Sequence, residues 1–510
     1  MTSKTDQTFL SEDQPDLIAA IDLGSNSFHM VVARFIHGEV RVISKMGEKV
    51  QLGAGLDKNN RLTDEVQSRA LDCLRRFAQK LKTIPDSRVR VVGTNTLRAA
   101  KNAKEFQAEA RKILGVPIEV IAGREEARLV YLGVSHTLAD DSGRRLVVDI
   151  GGGSTEFIIG ERFETKELES LHMGCVSYSR AFFSSGKITE SAFDKAVNAA
   201  AREILYIKEQ FNRSGWQEAV GSSGTFKSIY RTLIDNGICS NSITRQGLTA
   251  LRKRVIELGD IRGLEKLGVK KERQTTFVGG LAIVCACFSV LSIDEMHYSE
   301  GALREGVMYD LLGRIRHEDV RERTIQALAE RYYVDQVHSQ AVERSANLCL
   351  FQVKNQWGLI APFYTDLLRW AARLHEIGLA ISHSQYHKHG AYLIEHSDLP
   401  GFSKQVQKSL SLLVRGHRRR LTPDIFDGLT RDEAEPLVRL CILLRLAVIL
   451  LHGRSGEIVD QFSLDVKDKT LTLTFDRDWL KKNPLTLTDL ELEADYLSKM
   501  DYELVVRMAQ

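Results

Sequence analysis

LIAAIDLGSNSFHMVVARF, Leu17 to Phe35, is the stretch on which the reading of this chain turns. An apolar run ends at Asp22, small turn-forming residues continue through Ser27, and a second apolar run follows, so the segment reads as two strands joined by a tight loop. RLVVDIGGGSTEFIIGERF, Arg145 to Phe163, repeats the grammar: an apolar strand, Asp149, the glycines 151 to 153, Ser154 and Thr155, then another strand. Glycines and small hydroxyl residues let backbone N–H groups converge on an anion without a Cβ in the way. A strand-end Asp beside such a loop can hold a divalent cation, directly or through water. Two of these loops facing one another would grip a phosphate chain and its metal from both sides; the plainer alternative is a pair of ordinary hairpins.

Two further segments share the pattern. VRVVGTNTLRAAKNA, Val89 to Ala103, is a strand entering a small-residue turn and then a helix carrying Arg98, whose guanidinium and neighbouring N–H groups suit oxyanions. EAVGSSGTFKSIY, Glu218 to Tyr230, repeats strand, turn and helix with Ser222, Ser223, Gly224, Thr225 and nearby Lys227. Between the Asp loops, PIEVIAGREEARLVYLGV, Pro117 to Val134, opens a helix with Glu125 and Glu126. Acids in a first helical turn favour the helix dipole. Beside a phosphate cleft, a carboxylate is also what takes a proton from water, and Glu156 after the second loop is a companion for that work.

The composition bounds the rest. At 510 residues the chain has room for about three or four domains. Lys plus Arg number 70 against 67 Asp plus Glu, a net charge of +3, which excludes a globally basic nucleic-acid coat and requires any polyanion to meet a local patch. The seven cysteines are scattered without a C-x-x-C pair, as expected of reduced thiols in cores. Residues 1–16 carry no apolar stretch of the signal-peptide kind and read as a disordered arm. FVGGLAIVCACFSVL, Phe277 to Leu291, is shorter than the roughly 20 residues a bilayer needs and reads as a buried helix, so no membrane span is expected.

IDLGSNSFHM, GTNTLR, GREEARL, DIGGGSTE, HMGCVSYSR, GSSGT and SEGALREGV, in this order, resemble the exopolyphosphatase and guanosine pentaphosphate phosphohydrolase family from about Leu17 onward. The resemblance implies an α/β fold: a duplicated actin-like, sugar-kinase-like (ribonuclease H-like) core of two lobes, here 17–130 and 131–312, around a cleft. It implies Mg²⁺-dependent, processive hydrolysis of terminal phosphoanhydrides, releasing orthophosphate from inorganic polyphosphate, or conversion of guanosine pentaphosphate to the tetraphosphate. Carried over by motif, Glu126 is the general base and Glu156 assists it. Asp149 binds Mg²⁺ with Asp22 as second acid, and Asn26, Ser27, Arg98, Gly152, Gly153, Ser154, Ser223, Gly224 and Thr225 hold phosphate oxygens. A homodimer and a cytoplasmic location are also implied, with peripheral attachment at the membrane left open.

Beyond SEGALREGV the texture turns helical, with apolar residues at three- and four-residue spacing to about residue 455. ARLHEIGLAISHSQYHKHGAYLI is similar to the helical phosphohydrolases that hold a divalent metal on a His-Asp pair, so 313–455 is expected to be an all-α HD-like domain. Glu376 replaces that Asp, and Val448 stands in LRLAV where the fold supplies another, so an active second metal site is not expected. His387, His389, Arg415, Arg418 and Arg419, with Lys388, His417 and Arg420, instead suggest a polyanion surface, the alternative being a solvated basic face. FSLDVKDKTLTLTFDRDWL, Phe462 to Leu480, reads as a hairpin turning at Lys467-Asp468-Lys469, and a helix and last strand complete a small α/β cap over 456–510.

The three glycines at 151–153 and the arginines at 415–420 favour polyphosphate as substrate, with guanosine pentaphosphate the alternative. An actin-like ATPase or sugar kinase would need an adenosine pocket or an Asp base in a sugar site, and no sugar-binding cluster is evident. The non-enzymatic alternative is a polyphosphate-binding regulator.

Overall fold

The computed structural model describes residues 17–36, 39–138, 143–315, 319–453, 462–476, 479 and 482–509, so the expected arm at 1–16 lies outside the described residues. Two compact units meet at Asp319/Val320.

In the first unit, β1 (Leu17–Leu23), β2 (Phe28–Ile36) and β3 (Glu39–Glu48) form an antiparallel meander. Strands β4 (Val89–Gly93) and β5 (Ile118–Val120) add parallel to β1, in the order β3-β2-β1-β4-β5. The second lobe repeats this with β6 (Arg144–Ile150), β7 (Thr155–Glu161), β8 (Glu164–Leu171), β9 (Glu218–Ser222), β10 (Ile243–Thr244) and β11 (Glu295–Tyr298). Its order is β10-β11-β9-β6-β7-β8, and apart from the edge strand β10 each member matches one of the first sheet. The loops match as well: Leu23 pairs with Phe28 around residues 24–27, and Ile150 with Thr155 around 151–154.

Helices α1 (Asp64–Leu81), α2 (Asn95–Ala99) and α3 (Ala103–Leu114) follow in the first lobe, then α4 (Gly123–Ser135). The second lobe adds α5 (Cys175–Phe182), α6 (Glu190–Ser214), α7 (Ser223–Asp235), α8 (Arg245–Leu258), α9 (Lys271–Val290) and α10 (Leu303–Ile315). Period-two alternation assigns the strand faces. Ala19, Ile21 and Leu23 bury against α1 and α3, while Leu146, Val148 and Ile150 bury against the α6, α8 and α9 layer. Ile18, Ala20 and Val147 face a shared central layer made by α4 and α10. Helix α4 leaves the first sheet to cover the second, and α10 returns to cover the first. It therefore runs through residues 130 and 131, where the sequence reading divides the lobes, and residues 313–315 belong to α10, not to the helical domain.

Glycine makes this crossing possible. A Cβ at Gly306 would lie 1.7 Å from the Leu129 carbonyl oxygen, and one at Gly133 would lie 2.2 Å from that of Ala302. Gly306→Ala is expected to destabilise the first unit by about 1–3 kcal/mol or more, because the obstacle is backbone that cannot rotate away; a lowered urea midpoint would register it.

Helix α9 is long and apolar enough to cross a bilayer, but 72% of its most apolar window is buried within the protein. Phe277, Leu281, Val284 and Phe288 belong to the second lobe's core, as expected of a central soluble helix.

The second unit holds α11 (Val320–Arg331), α12 (Gln336–Val353), α13 (Pro362–Leu374), α14 (Tyr386–His396), α15 (Lys404–Gly416) and α16 (Arg431–Leu450). A three-stranded sheet follows, β12 (Phe462–Lys467), β13 (Thr470–Phe475) and β14 (Glu503–Met508), with α17 (Pro484–Ser498) between the last two. The β12–β13 turn is tighter than the expected Lys467-Asp468-Lys469: Lys467 pairs with Thr470, leaving Asp468 and Lys469 as its two central residues, with Asp468 at φ 53°.

Candidate active site

Both Asp loops sit at the C-terminal ends of the first strands of their sheets. Asp22 has the parity of Ile18 and Ala20, and Asp149 that of Val147, so both side chains point into the central layer between the sheets. Glu156 lies opposite Asp149 in the β6–β7 register and shares the parity of Ile158. The equivalent position of the first lobe, opposite Asp22, is His29. The loops meet: a Cβ on Gly152 would lie 3.0 Å from the Ser25 Cβ, and one on Gly153 would lie 2.9 Å from Asn95 Oδ1.

Between them opens a cleft of about 360 Å³. Of the residues singled out from the sequence, it is lined by Asp22, Asn26, Ser27, Glu126, Asp149, Gly152, Ser154, Ser223, Gly224 and Thr225. Glu156, Arg98 and Gly153 are not among the lining residues; Arg98 is tied to the cleft by its hydrogen bond to Glu126, and Glu156 lies near enough for the Glu126 charge to act on it.

The adjacent acids of α4 separate because a helix turns about 100° per residue. Glu125 is held by Arg128, whose Nε and Nη2 each donate to it at 2.8 Å, in a buried network with Arg90 and Asp310. Glu126 faces the cleft. Arg98, expected on a phosphate, donates from Nη1 to Glu126 Oε2 and to the Ile121 carbonyl, both at 2.8 Å, so this nitrogen positions the carboxylate. Glu156 Oε1 accepts from Ser170 Oγ at 2.9 Å. The Ser223 and Thr225 hydroxyls both donate to the Ile150 carbonyl, at 2.9 and 3.0 Å, which stitches the α7 turn to the second Asp loop. Ser223 holds φ at 83°, a left-handed conformation unusual for a residue with a Cβ.

Three acids of the lining, Asp22, Glu126 and Asp149, thus stand close to Glu156 behind it. Burial first, then the charges of Glu126 and Asp149, raise Asp22 well above the usual carboxylate range. Glu156 is raised by the same causes. Asp149 is pushed up to about 7, chiefly by burial, with Glu126 adding and Ser222 opposing. Burial raises Glu126 too, against the pull of Arg98. Such a group of carboxylates resists common ionisation unless positive charge joins it. Asp22 Oδ1 is buried without a hydrogen-bond partner, as suits an oxygen left for a cation. These donors fit Mg²⁺, which takes one or two carboxylates together with water and substrate phosphate.

Positive charge lines the cleft wall. Lys45, Lys227, Arg273 and Arg304 all border it, and of these only Lys227 follows one of the small-residue turns in sequence. Lys227 reaches Glu300 at 3.1 Å, and Lys45 and Arg304 reach Glu305 at 3.3 and 2.8 Å. The Arg273 guanidinium lies over Gly224, where a Cβ would come within 2.1 Å of Nη2. Arg304 sits inside SEGALREGV, whereas KKERQ around Arg273 carries no motif signal. His29 is driven down to about 4 by burial and by Arg304 and Arg273, which keeps it neutral.

The second unit contains a separate cavity of about 730 Å³, lined by Lys388, Arg415, Arg418, Arg419 and Arg420 among others. Three histidines of the expected polyanion surface differ from expectation, His417 by being buried and outside this lining. His387 lines the cavity, but burial followed by Arg415 and Arg418 pushes it down to about 4, so it adds no charge at neutral pH. His389 is absent from the lining.

A duplicated two-lobed core closing on buried acids beneath a rim of cations defines a phosphohydrolase. The chain belongs to the Ppx/GppA phosphatase family: the family's model matches residues 31–315, and that of Ppx/GppA phosphatase, domain III, matches 320–494. A Vibrio cholerae serotype O1 protein named guanosine-5'-triphosphate,3'-diphosphate pyrophosphatase is 43% identical over 492 residues, covering 96% of this chain and 98% of that relative. A Pseudoalteromonas translucida protein of the same name is 40% identical over 495 residues, covering 97% and 99%. An exopolyphosphatase crystal structure from Cytophaga hutchinsonii aligns at TM-score 0.54 and 25% identity over 58% of this chain and 98% of that one. The Aquifex aeolicus PPX-GPPA enzyme aligns at TM-score 0.50 and 25% identity over 57% and 98%.

Proposed function

We propose that this hydrolase acts on guanosine pentaphosphate, removing the terminal 5′ phosphate to leave guanosine tetraphosphate and orthophosphate. The glycine-rich loop and the arginine cluster favoured polyphosphate on sequence grounds; the names of relatives matching nearly end to end favour the nucleotide. The arginines lie in the second unit's own cavity and are not among the residues lining the acid cleft, which removes part of that argument. The observation that carries the chemistry is the meeting of Glu126 with both Asp loops in one cleft.

The oxygen of a water attacks the terminal phosphorus, the bond to the bridging oxygen breaks, and the penultimate phosphate leaves as a new terminal phosphate. Glu126 accepts the proton that the water loses. A carboxylate held above its ordinary range is a stronger base for this, and Arg98 keeps it oriented. Glu156, anchored by Ser170 behind the cleft lining, assists Glu126 through its charge. The facing glycine loops and the α7 N-terminus offer N–H groups to the phosphate oxygens, as phosphoryl transfer is catalysed mainly by positioning and charge neutralisation. Asp22 and Asp149 would hold Mg²⁺, whose charge would offset that of the phosphates.

Arg273 is the wall cation poised over the phosphate-type turn at Gly224. A charge-assisted hydrogen bond contributes about 1.5–3 kcal/mol, so Arg273→Ala is expected to raise KM roughly 10- to 100-fold, with the defect shrinking as salt screens the wild-type protein.

Phosphate release from guanosine pentaphosphate and from long-chain polyphosphate, measured side by side with and without Mg²⁺, tests the proposal. A higher kcat/KM for the nucleotide, dependent on the cation, is expected. A clear preference for the polymer would overturn the substrate assignment.

A further inference from the structure

Three helices of the second unit bring a group of imidazoles together that the cleft chemistry does not use. His375 is the C-cap residue of α13, and its Nδ1 donates to the Ala372 carbonyl at 2.7 Å. His417 is the C-cap residue of α15, and its Nδ1 donates to the Val414 carbonyl, also at 2.7 Å. A carbonyl can only accept, so both rings carry their proton on Nδ1, which leaves Nε2 unprotonated. The two rings stand edge to face at 5.4 Å between centroids. His338, from the first turn of α12, has its ring 5.6 Å from that of His375. One donor atom from each of His338, His375 and Glu376 lies within 4.8 Å of the other two. All four residues are buried, His375 and His417 at 0% and 1% exposure.

The His417 Nε2 is enclosed without a hydrogen-bond partner. A buried lone pair on nitrogen, left bare by a tautomer that the backbone enforces, is costly unless something positive meets it. An Nδ1–H held by a backbone carbonyl, which leaves Nε2 to serve as ligand, is also how metal-binding histidines are oriented. Donors sharing a tetrahedral ion at about 2.0–2.1 Å stand roughly 3.3 Å apart, so this spacing needs only small side-chain adjustments to close.

We propose that the second unit binds one transition-metal ion of the zinc class through His338, His375 and Glu376, with His417 as the adjoining fourth donor. Two or three imidazoles with a single carboxylate suit an ion that prefers nitrogen, and suit Mg²⁺ poorly. This site is distinct from the acid cleft in both residues and metal preference. The loss of acids in the HEIGL and LRLAV segments argues against a hard cation; His338, on another helix, supplies what a softer one needs.

The experiment uses the untagged full-length chain carrying Asp149→Asn, which weakens cation binding in the cleft. After chelator treatment it is titrated with Co²⁺ and, separately, with Zn²⁺. One tightly held equivalent is expected, with the visible ligand-field absorption of low-coordinate cobalt, displaced by Zn²⁺ and not by a large excess of Mg²⁺. Adding His375→Ala, or the shape-preserving Glu376→Gln, should weaken binding roughly 100-fold or more and abolish the absorption, with helical circular dichroism unchanged for Glu376→Gln. Absence of a stoichiometric equivalent in the parent overturns the proposal, as does an equivalent that survives both substitutions.

Discussion

Glu126→Gln is expected to slow phosphate release by about 10²- to 10⁴-fold, the usual contribution of a general base, while leaving substrate binding within a few-fold of the parent. The substitution keeps the shape of the side chain and its contact with Arg98, now through an amide oxygen, but removes the group that accepts the proton. Single-turnover rates with equilibrium binding of the nucleotide would separate the two effects. The parent's rate should fall on its acid limb at a pH above the ordinary carboxylate range, because burial raises Glu126 and the acids beside it. A variant that turns over normally would remove Glu126 from the reaction.

Arg445→Leu is expected to destabilise the second unit by about 3–5 kcal/mol, the cost of leaving a buried carboxylate without its partner. Arg445 stands in the middle of CILLRLAVILL, where sequence pattern alone calls for an apolar residue, and only 2% of its side chain is exposed. Its Nε and Nη2 donate to the two oxygens of Glu493 at 2.6 Å each, and Nη1 and Nη2 reach the carbonyls of Gly416 and Arg419 at 2.6 and 2.7 Å. The pair therefore pins α16 to α17 and holds the end of α15 and the arginine-bearing loop beyond it. The double variant Arg445→Leu, Glu493→Leu should recover much of the loss, since replacing a whole buried pair with apolar groups is often neutral. Urea unfolding of the full chain, followed by a probe in the second unit, would measure both. A single variant as stable as the parent would sink the argument.

The same contrast runs through the molecule. Strand, Asp and glycine turn could be read at Asp22 and at Asp149 because alternation and turn chemistry are local signals, and their repetition implied the duplicated core. The apolar Phe277–Leu291 run was legible as a buried helix on length alone. Other features were hidden. Nothing in GREEARL says that Glu125 is taken by Arg128 while Glu126 faces the cleft, because that depends on what each side of α4 packs against. Nothing in GTNTLR says that one nitrogen of Arg98 positions Glu126. His387 counts as a positive charge until its burial, and then the surrounding arginines, make it neutral.

Sequence by itself determined the family, the two-lobed architecture, the helical second half and the residue types of the acid cleft, since each rests on patterns a few residues long. Only the tertiary structure decided which carboxylates converge, that Lys45, Arg273 and Arg304 border them, and that His338 joins His375 and Glu376. Those facts depend on segments far apart in the chain being brought within a few ångströms, and on burial changing what a titratable group does once it is there. Local periodicity encodes the course of the backbone; charge state and convergence are properties of the packed whole.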